Sequence, residues 1–298
     1  MGTLNKIGFV GLGHMGGSMA GRLMDAGYSV SGTSRTREHA QALIDQGLDW
    51  RDSAREVAES TEVLFTSLPD DNALAAASSG PDGVFAGLSA ETVWVDVSTV
   101  SPVVARGTAR RVQARGAAML AAPVSGSVPQ AQSGALTIMV GGDRQAFARV
   151  EPILRVLGTV RHVGDNDQAL VLKLAINDSL GVQMLAFAEG FLLALRSGID
   201  SETALEVMTS SAIASPMLKA RAPLMLEPRD DAWFDIDFMQ KDLELALETG
   251  RQLQVPLPSA GRADEVLSVG QELGYGRRDI SGLFQVLCHM AAEQGMAA

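Results

Sequence analysis

The chain has 298 residues, of which 46% are hydrophobic and 20% are charged, a composition typical of a globular protein with a sizeable core. Its 24 basic and 35 acidic residues give a net charge of −11, which argues against nucleic acid or anionic lipid as a partner. The one cysteine, Cys288, excludes an internal disulfide framework and a cysteine-based metal site, and the four histidines form no cluster, so we expect no metal.

The amino-terminal residues lack the basic start, the long apolar run and the small-residue cleavage site of a secretory signal. No uninterrupted apolar run approaches the roughly 20 residues that a membrane span requires. The most apolar stretch, residues 180–195, contains Gln183 and Glu189, which indicates a buried helix. We therefore expect a cytoplasmic protein with no membrane partner.

The first half of the chain alternates short apolar runs with segments of helical periodicity. Strands are predicted over residues 6–10, 28–33, 62–68, 92–97, 117–122, 136–140 and 159–163. Helices are predicted over residues 15–26, 38–46, 103–115 and 144–157, and a loop over residues 130–134. This alternation indicates βαβ units and a mostly parallel sheet that is covered on both faces.

The pattern changes near Gly164, after which no strand is predicted. A long helix over about residues 167–196 is followed by helices over residues 202–210, 216–226, 237–253, 260–273 and 280–294. The fold class is therefore an α/β Rossmann N-terminal domain plus an all-α C-terminal domain, joined by a long interdomain helix. We place the first domain at residues 1–164 and the second, for substrate binding and oligomerisation, at residues 165–298.

A glycine-rich turn follows the first predicted strand and precedes a helix, which is the setting of a dinucleotide site. The turn comprises Gly11, Leu12, Gly13, His14, Met15 and Gly16. In this pattern the first glycine permits the tight turn, the second admits a pyrophosphate close to the backbone, and the third lets helix and strand pack closely. The free N–H groups and the dipole of the helix N-terminus then favour the phosphates.

The second predicted strand ends without the acidic residue that would bind a free ribose 2′-hydroxyl. Ser34, Arg35 and Thr36 stand there instead. Arg35 can fork onto a 2′-phosphate and the two hydroxyls can donate to it, so we expect NADP(H) in preference to NAD(H). The alternative is that Arg35 is a solvated charge and Thr36 the N-cap of the next helix.

Five segments, in this order, carry a resemblance to a known family. They are IGFVGLGHMG at residues 7–16, DVSTVSP at 96–102, APVSG at 122–126, Lys173 with Asn177, and KDL at 241–243. The chain resembles the β-hydroxyacid dehydrogenases, which include 3-hydroxyisobutyrate dehydrogenase, tartronate semialdehyde reductase and the glyoxylate/succinic semialdehyde reductases. The resemblance implies an NAD(P)-dependent oxidoreductase that acts on a small carboxylate-bearing aldehyde or hydroxyacid, assembled as a homodimer or homotetramer.

Lys173 is the candidate general acid of reduction and general base of oxidation, because a reduced carbonyl oxygen needs a proton donor beside it. Its neighbours over residues 170–176 are otherwise apolar, which an ordinary exposed lysine would not require. Asn177 lies one helical turn later on the same face, where it could orient the lysine or bind substrate.

The resemblance also implies roles for further residues. Ser125 and Gly126 would hold a substrate carboxylate, or else form a simple turn. Thr99 would contact the nicotinamide end of the cofactor with Ser98 beside it, or else these residues would cap the turn before Pro102. Leu68 and Pro69 would cover the cofactor. Lys241 would contact the cofactor or the substrate, Asp242 would position Lys241 or the substrate, and Phe234 would line the substrate pocket. The alternatives are a solvated charge pair for Lys241 and Asp242 and a core position for Phe234.

Three departures from the family pattern leave the substrate open. Ala121 stands where an aspartate is common, Ser127 and Pro129 follow the Ser-Gly pair, and Asp178 follows Asn177. The Ser127 and Pro129 variant is closest to the glyoxylate/succinic semialdehyde reductases. Two other functions remain open: an imine reductase of the same architecture, against which Lys173 argues, and a dinucleotide-binding module without catalysis.

Overall fold

The structure is a computed structural model that describes residues 4–296, and it divides the chain into two compact units, Met1–Lys173 and Leu174–Ala298. The strands of the first unit are β1 (Lys6–Val10), β2 (Ser29–Thr33), β3 (Asp49–Trp50), β4 (Val63–Thr66), β5 (Val93–Asp96), β6 (Ala118–Ala121), β7 (Val124–Ser125), β8 (Leu136–Gly142) and β9 (Gly158–Gly164). Its helices are α1 (His14–Asp25), α2 (Gln41–Asp45), α3 (Ala54–Glu59), α4 (Asp71–Ser78), α5 (Val84–Gly87), α6 (Pro102–Gln113), α7 (Val128–Ser133) and α8 (Arg144–Leu157). A 3₁₀ turn at Arg37–Ala40 precedes α2.

The strands form one sheet in the order β3-β2-β1-β4-β5-β6-β8-β7, with β9 paired to β8. In this spatial order, all neighbouring strands from β3 to β6 pair in parallel. Strand β8 is antiparallel to both β6 and β7, and β9 is parallel to β8. The chain order reverses at β1, which pairs with β2 on one side and with β4 on the other. In open α/β sheets a ligand binds outside the carboxyl ends of the strands at such a reversal.

Buried apolar clusters cover both faces of the sheet, which is why its central strands are apolar throughout. One cluster joins Phe9, Ile138 and Leu154, and the other joins Leu64, Trp94 and neighbouring side chains. The rings of Phe9 and Phe65 stack with their centroids 4.8 Å apart in the first cluster. The paired β1 and β4 strands are thereby held rigidly beneath the glycine turn.

The second unit is helical, and every named strand of residues 4–296 lies before it. Its helices are α9 (Asn166–Arg196, which begins in the first unit), α10 (Ser201–Ser210), α11 (Pro216–Arg221), α12 (Ile236–Leu253), α13 (Pro258–Glu272) and α14 (Leu283–Met296), with 3₁₀ turns at Ala222–Met225 and Ile280–Gly282. The core of this unit gathers Met184, Phe191, Met239, Leu267 and Leu283.

Helix α9 is long and apolar enough to cross a membrane by length and composition, with a mean hydropathy of 1.4 in its most apolar window. Met184, Ala188 and Phe191 on this helix are nevertheless buried in the core of the second unit. The core helix of a globular protein passes the same test, so this finding is weak evidence of a membrane span.

The predicted fold class is confirmed: a parallel Rossmann-like sheet is followed by helices, and α9 is the long helix between them. The prediction of a loop over residues 130–134 is wrong, because α7 occupies residues 128–133. Ser127 and Gln130 form a reciprocal capping box at its start, and Gly134 ends it in a left-handed conformation with φ 72°.

Candidate active site

The glycine turn after β1 has the geometry of a dinucleotide cradle. Gly11 adopts φ 98°, and a Cβ there would lie 2.3 Å from the Ser67 carbonyl oxygen. A Cβ on Gly16 would lie 2.0 Å from the Gly11 carbonyl oxygen, so α1 packs against the turn only because this residue has no side chain. A Cβ on Gly13 would meet no atom within 4 Å, which leaves that backbone open to a ligand. The residues present therefore fit a pyrophosphate.

The N-terminus of α1 is available to an anion. Gly13 is its N-cap residue and makes no side-chain capping hydrogen bond. The first N–H groups of the helix and its dipole are thus directed toward the position that a phosphate would take. Leu12 is buried beneath this turn, His14 is exposed at the helix start and Met15 is partly buried against the core.

The sheet brings most of the predicted cofactor residues to one edge. The glycine turn follows β1, Ser34 to Thr36 follow β2, Leu68 and Pro69 follow β4, and Thr99 follows β5. These four strands are neighbours and parallel, so their carboxyl ends lie together. A cavity of about 640 Å³, lined by Lys6, Ser29 and Thr61 among others, opens at the opposite edge and is separate from this site.

The segment after β2 presents polar side chains to solvent. Arg35 and Thr36 are exposed, and Ser34 is partly buried. Thr36 is the N-cap residue of the following 3₁₀ turn but makes no side-chain capping hydrogen bond. Thr36 thus occupies the N-cap position of the alternative without a side-chain capping bond, and the exposure of Arg35 fits both alternatives.

Asp96, the last residue of β5, is a buried carboxylate at this edge, only 1% exposed. Burial raises its pKa to about 6, although hydrogen bonds from Ser98 and Thr66 act in the opposite direction and the charge of Asp71 adds to the rise. When the pKa of an acid is higher in the folded than in the unfolded chain, ionisation of that acid lowers the free energy of unfolding.

We expect the free energy of unfolding to fall as the pH rises from about 4 to 6, by up to about 3 kcal/mol from Asp96 alone. Asp96→Asn removes this titration, so the variant should become more stable relative to wild type at pH 7 than at pH 4.5. Urea unfolding at the two pH values measures the difference. An identical stability difference at both pH values would contradict the assigned pKa shift.

The start of α9 is fixed to the first unit by side chains. Asn166 Oδ1 accepts a hydrogen bond from the Ala121 N–H at 2.5 Å, and Arg106 forms an ion pair with Asp167 at 2.9 Å. Ala169 and Leu170, one turn later, are fully buried in the apolar cluster that contains Trp94. The nucleotide-binding unit therefore determines where the first turns of α9 lie.

Lys173 follows Ala169 by four residues and Leu170 by three, so it lies on the helix face that packs against the first unit. It is only 9% exposed. A lysine is rarely so buried unless a partner or a function retains it there. The alternative in which Lys173 is an ordinary exposed charge is therefore wrong.

Three polar side chains of the second unit form a connected group. Asn177 Nδ2 donates to Asp242 Oδ2 at 2.5 Å, and Lys241 Nζ forms an ion pair with Asp242 Oδ1 at 2.8 Å. Asp242 and Asn177 are each 2% exposed, and Lys241 is partly buried. The alternative of a solvated pair is wrong for Asp242, whose carboxylate holds both neighbours in place.

The predicted substrate loop begins at β7. Ser125 is partly buried and Gly126 is exposed with φ 130°. The next N–H, that of Ser127, donates to Gln130 Oε1 at 2.9 Å and so is already used by the fold. Among the described residues the Ser125 hydroxyl has no hydrogen-bond partner, which leaves it for a ligand.

Phe234 lies just before α12 in the second unit. Its ring stacks on that of Phe238 at 6.4 Å between centroids and packs against the core. Asp178 is partly buried, and burial raises the pKa of its carboxyl. The assigned roles of Phe234 and of the other site residues stay predictions, because no ligand contact tests them.

The sequence assigns no role to Asp96 or Thr66 and places Ser98 only beside Thr99, whereas the structure joins these three residues by hydrogen bonds at the cofactor edge. The sequence signal for this group is an acidic residue at the end of a predicted strand, followed two residues later by a serine that can donate to it. Sequence reasoning also missed Arg221 and Asp279, a buried ion pair of the second unit whose members are 58 residues apart. No local pattern marks such a pair.

Comparisons with known proteins agree with this geometry. A family profile described as the NAD binding domain of 6-phosphogluconate dehydrogenase matches residues 6–164. A second, described as NAD-binding of NADP-dependent 3-hydroxyisobutyrate dehydrogenase, matches residues 168–287. Together they cover both units of the chain.

Among curated relatives, 2-(hydroxymethyl)glutarate dehydrogenase of Eubacterium barkeri is 35% identical, over 94% of each chain. Glyoxylate/succinic semialdehyde reductase 2 of Arabidopsis thaliana is 31% identical over 96% of this chain and 80% of its own. Among solved structures, Psf3 in complex with NADP+ and 2-OPP superposes with a TM-score of 0.87 at 27% identity, covering 94% of this chain and 99% of its own.

These relatives fit the dehydrogenase prediction and neither of its two alternatives. The chain belongs to the β-hydroxyacid dehydrogenase family and is an NAD(P)-dependent oxidoreductase.

Proposed function

We propose that the protein reduces a short aldehyde or keto acid to the hydroxyacid, and catalyses the reverse oxidation, with Lys173 as the general acid and base. The observation that carries this proposal is the burial of Lys173 on a helix fixed to the nucleotide-binding unit. An amine held there can act on a substrate at the carboxyl edge of the sheet. The cofactor, when bound, supplies or accepts the hydride.

The role of Lys173 follows from charge. Reduction places negative charge on the carbonyl oxygen, and the ammonium of Lys173 stabilises that charge and donates a proton to the oxygen. In oxidation the neutral amine takes the proton from the hydroxyl group.

Asn177 and Asp242 orient polar groups around the substrate. Asp242 is buried and engaged by Asn177 and Lys241 at 2.5 and 2.8 Å, so its role is to hold these two side chains. Lys241 is partly buried and is the member that contacts the cofactor or the substrate. Phe234 supplies an apolar wall to the substrate pocket.

Ser125 and Gly126 bind the substrate carboxylate. The Ser125 hydroxyl donates to it, and Gly126 admits a carboxylate close to the backbone because it has no side chain. Its φ of 130° is also a conformation that other residues rarely adopt. Ser127 contributes no main-chain donor, since its N–H is held by Gln130.

The preferred cofactor is NADPH. Arg35 and Thr36 are exposed beside β2, no carboxylate stands among Ser34, Arg35 and Thr36 to repel a 2′-phosphate, and one solved relative carries NADP+. Leu68, Pro69 and Thr99 cover the nicotinamide half from the exits of β4 and β5.

Arg35→Ala should raise the Kd for NADPH about tenfold to a hundredfold and change the Kd for NADH less than twofold, because only NADPH has the 2′-phosphate. Fluorescence titration with each cofactor measures both constants. Arg55→Ala, an exposed arginine on α3 that pairs with Glu59, is the matched control and should change neither constant. Equal weakening of both cofactors by Arg35→Ala would refute the phosphate contact.

The substrate class is a small acid with an aldehyde or keto group, and we propose a glyoxylate or succinic semialdehyde type. The Arabidopsis relative is named for these two compounds, and Ser127 with Pro129 is the sequence variant closest to that branch. We also propose a cytoplasmic location and a homodimer or homotetramer. Leu193 and Ile213, each 74% exposed, and Val207, 61% exposed, are apolar side chains of the second unit that such an interface would cover.

The test is loss of reduced-nicotinamide absorbance, with NADPH and NADH offered separately. The substrates are glyoxylate, succinic semialdehyde, tartronate semialdehyde, methylmalonate semialdehyde and a cyclic imine. We expect rapid loss of NADPH with at least one aldehyde acid. Turnover of the imine alone, or tight cofactor binding without turnover of any aldehyde acid, would overturn the proposed function.

A further inference from the structure

The carboxyl ends of β4 and β5 are joined by a buried hydrogen-bond relay that converges on Asp96. Asp96 Oδ1 accepts from Thr66 Oγ1 at 2.7 Å and from Ser98 Oγ at 2.6 Å. It also accepts from the Ser98 N–H at 3.2 Å. All three donors therefore use the same carboxylate oxygen of a residue that is 1% exposed.

The relay has two arms with different ends. In one arm the Trp94 indole N–H donates to Thr66 Oγ1 at 2.9 Å, so this arm ends inside the sheet. In the other arm the Leu68 main-chain N–H donates to Ser98 Oγ at 2.9 Å. Ser98 thus accepts from the segment after β4 and donates to the acid at the end of β5.

This second arm connects β4 and β5 beyond the point where their main-chain hydrogen bonding ends. The Val97 N–H still donates to the Thr66 carbonyl oxygen at 2.9 Å. Beyond that bond, the Ser98 side chain makes the next connection between the two strand exits, and farther along the Ser101 N–H donates to Asp71 Oδ1 at 2.8 Å. Leu68 is directly followed by Pro69, which has no N–H, and Ser98 is directly followed by Thr99. The relay therefore holds together the two segments that are proposed to cover the nicotinamide.

We propose that Asp96 is a positioning residue that, through Ser98, fixes the distance between Leu68 and Thr99 and so shapes the site for the nicotinamide half of the cofactor. This inference rests on the proposed function only in that Leu68 and Thr99 contact the nicotinamide. Asp96 itself is buried beneath the surface and touches neither substrate nor cofactor. Its carboxylate acts by orienting Ser98.

The electrostatics support a role beyond stability. Burial raises the pKa of Asp96 to about 6, so the ionised form still predominates at neutral pH but lowers the stability of the fold. A neutral acceptor would satisfy the same donors without that cost. An ionised carboxylate, however, accepts stronger hydrogen bonds than a neutral group, and so holds the Ser98 hydroxyl in one orientation.

The test compares two substitutions that each remove one hydroxyl from the same carboxylate oxygen. Ser98→Ala breaks the arm that reaches Leu68, and Thr66→Val breaks the arm that ends at Trp94. Asp96→Ala removes the centre of both arms. For each variant we would measure the Kd for NADPH and the Kd for 2′-phospho-ADP-ribose, the fragment of NADPH that lacks the nicotinamide. The same two constants would be measured for NADH and its fragment ADP-ribose. The temperature of thermal unfolding would be measured as well.

We expect Ser98→Ala to weaken binding of the complete cofactor about tenfold, the effect of one lost hydrogen bond that orders a site, and to leave the nicotinamide-free fragment unchanged. Thr66→Val should lower the unfolding temperature and leave both constants unchanged. Asp96→Ala should combine the two effects. Because Ser98→Ala removes only one side-chain oxygen, it keeps the proposal testable if Asp96→Ala fails to fold.

Two results would overturn the inference: unchanged binding of the complete cofactor by Ser98→Ala, or equal weakening of the cofactor and its fragment. Equal effects of Ser98→Ala and Thr66→Val on cofactor binding would do the same. Failure of the proposed function looks different. Wild type would then reduce no aldehyde acid, while the selective loss of nicotinamide binding in Ser98→Ala would still support the relay.

Discussion

Lys173→Ala should lower kcat by about a thousandfold, within the range that general acid catalysis contributes, and change the Kd for NADPH less than threefold. The reason is that Lys173 donates a proton to the substrate oxygen, whereas the cofactor is held mainly by the strand exits of the first unit. Stopped-flow absorbance during a single turnover, together with fluorescence titration of NADPH, separates the two quantities.

Lys173→Arg distinguishes proton donation from charge. Arginine keeps the positive charge but does not release a proton near neutral pH, so this variant should also be at least a hundredfold slower than wild type. Lys219→Ala, an exposed lysine on α11, is the control and should retain full activity. Normal turnover by Lys173→Ala would exclude the assigned role, and normal turnover by Lys173→Arg would reduce that role to electrostatics.

Asp279→Ala should destabilise the second unit by about 3–5 kcal/mol, the usual cost of removing one partner of a buried ion pair. Arg221 and Asp279 are each 4% exposed and bonded to each other. The same carboxylate accepts main-chain N–H bonds from Trp233 at 3.1 Å, Phe234 at 3.3 Å and Ser281 at 3.0 Å. Its loss would remove one acceptor from a buried guanidinium and from three main-chain N–H groups.

Circular dichroism at the helix band during urea unfolding measures this effect. Arg262→Ala is the matched control, because Arg262 and Glu265 form an ion pair whose side chains are 71% and 63% exposed, and it should change stability by less than about 1 kcal/mol. Similar unfolding midpoints for Asp279→Ala and wild type would show that the pair does not hold the segment before α12.

The sequence predicts the elements that repeat a strong local pattern. Helix α8 begins and ends at the predicted residues, because Asp143 caps its first turn and Gly158 follows its last. The long helix α9 and the glycine turn are also predicted from strong local sequence patterns. Helix α3 was missed because it is only 6 residues long, although Ser53 caps it by accepting the Glu56 N–H.

Long-range polar contacts could not be predicted in the same way. The Asp96 relay joins residues about 30 positions apart, and the Asn177–Asp242 bond joins residues 65 apart. Thr66 and Asp96 are register partners in β4 and β5, but that register is not written in the periodicity of either strand, and Asn177 and Asp242 lie on different helices. The family resemblance marked Lys173, Asn177 and Asp242 as candidates, but only the structure shows that Asp242 holds Asn177 and Lys241 together.

The strand order also has a consequence for synthesis on the ribosome. Strand β2, one neighbour of β1, is the next strand along the chain, but the other neighbour, β4, begins only at Val63. At roughly 5–20 residues per second, the second edge of β1 waits for several seconds before its partner emerges. Until then Ile7 and Phe9 of β1, both fully buried in the finished fold, lack the strand that pairs beside them. The nascent chain therefore presents an apolar, unpaired strand edge, the kind of surface that chaperones bind and that misfolded chains use to associate.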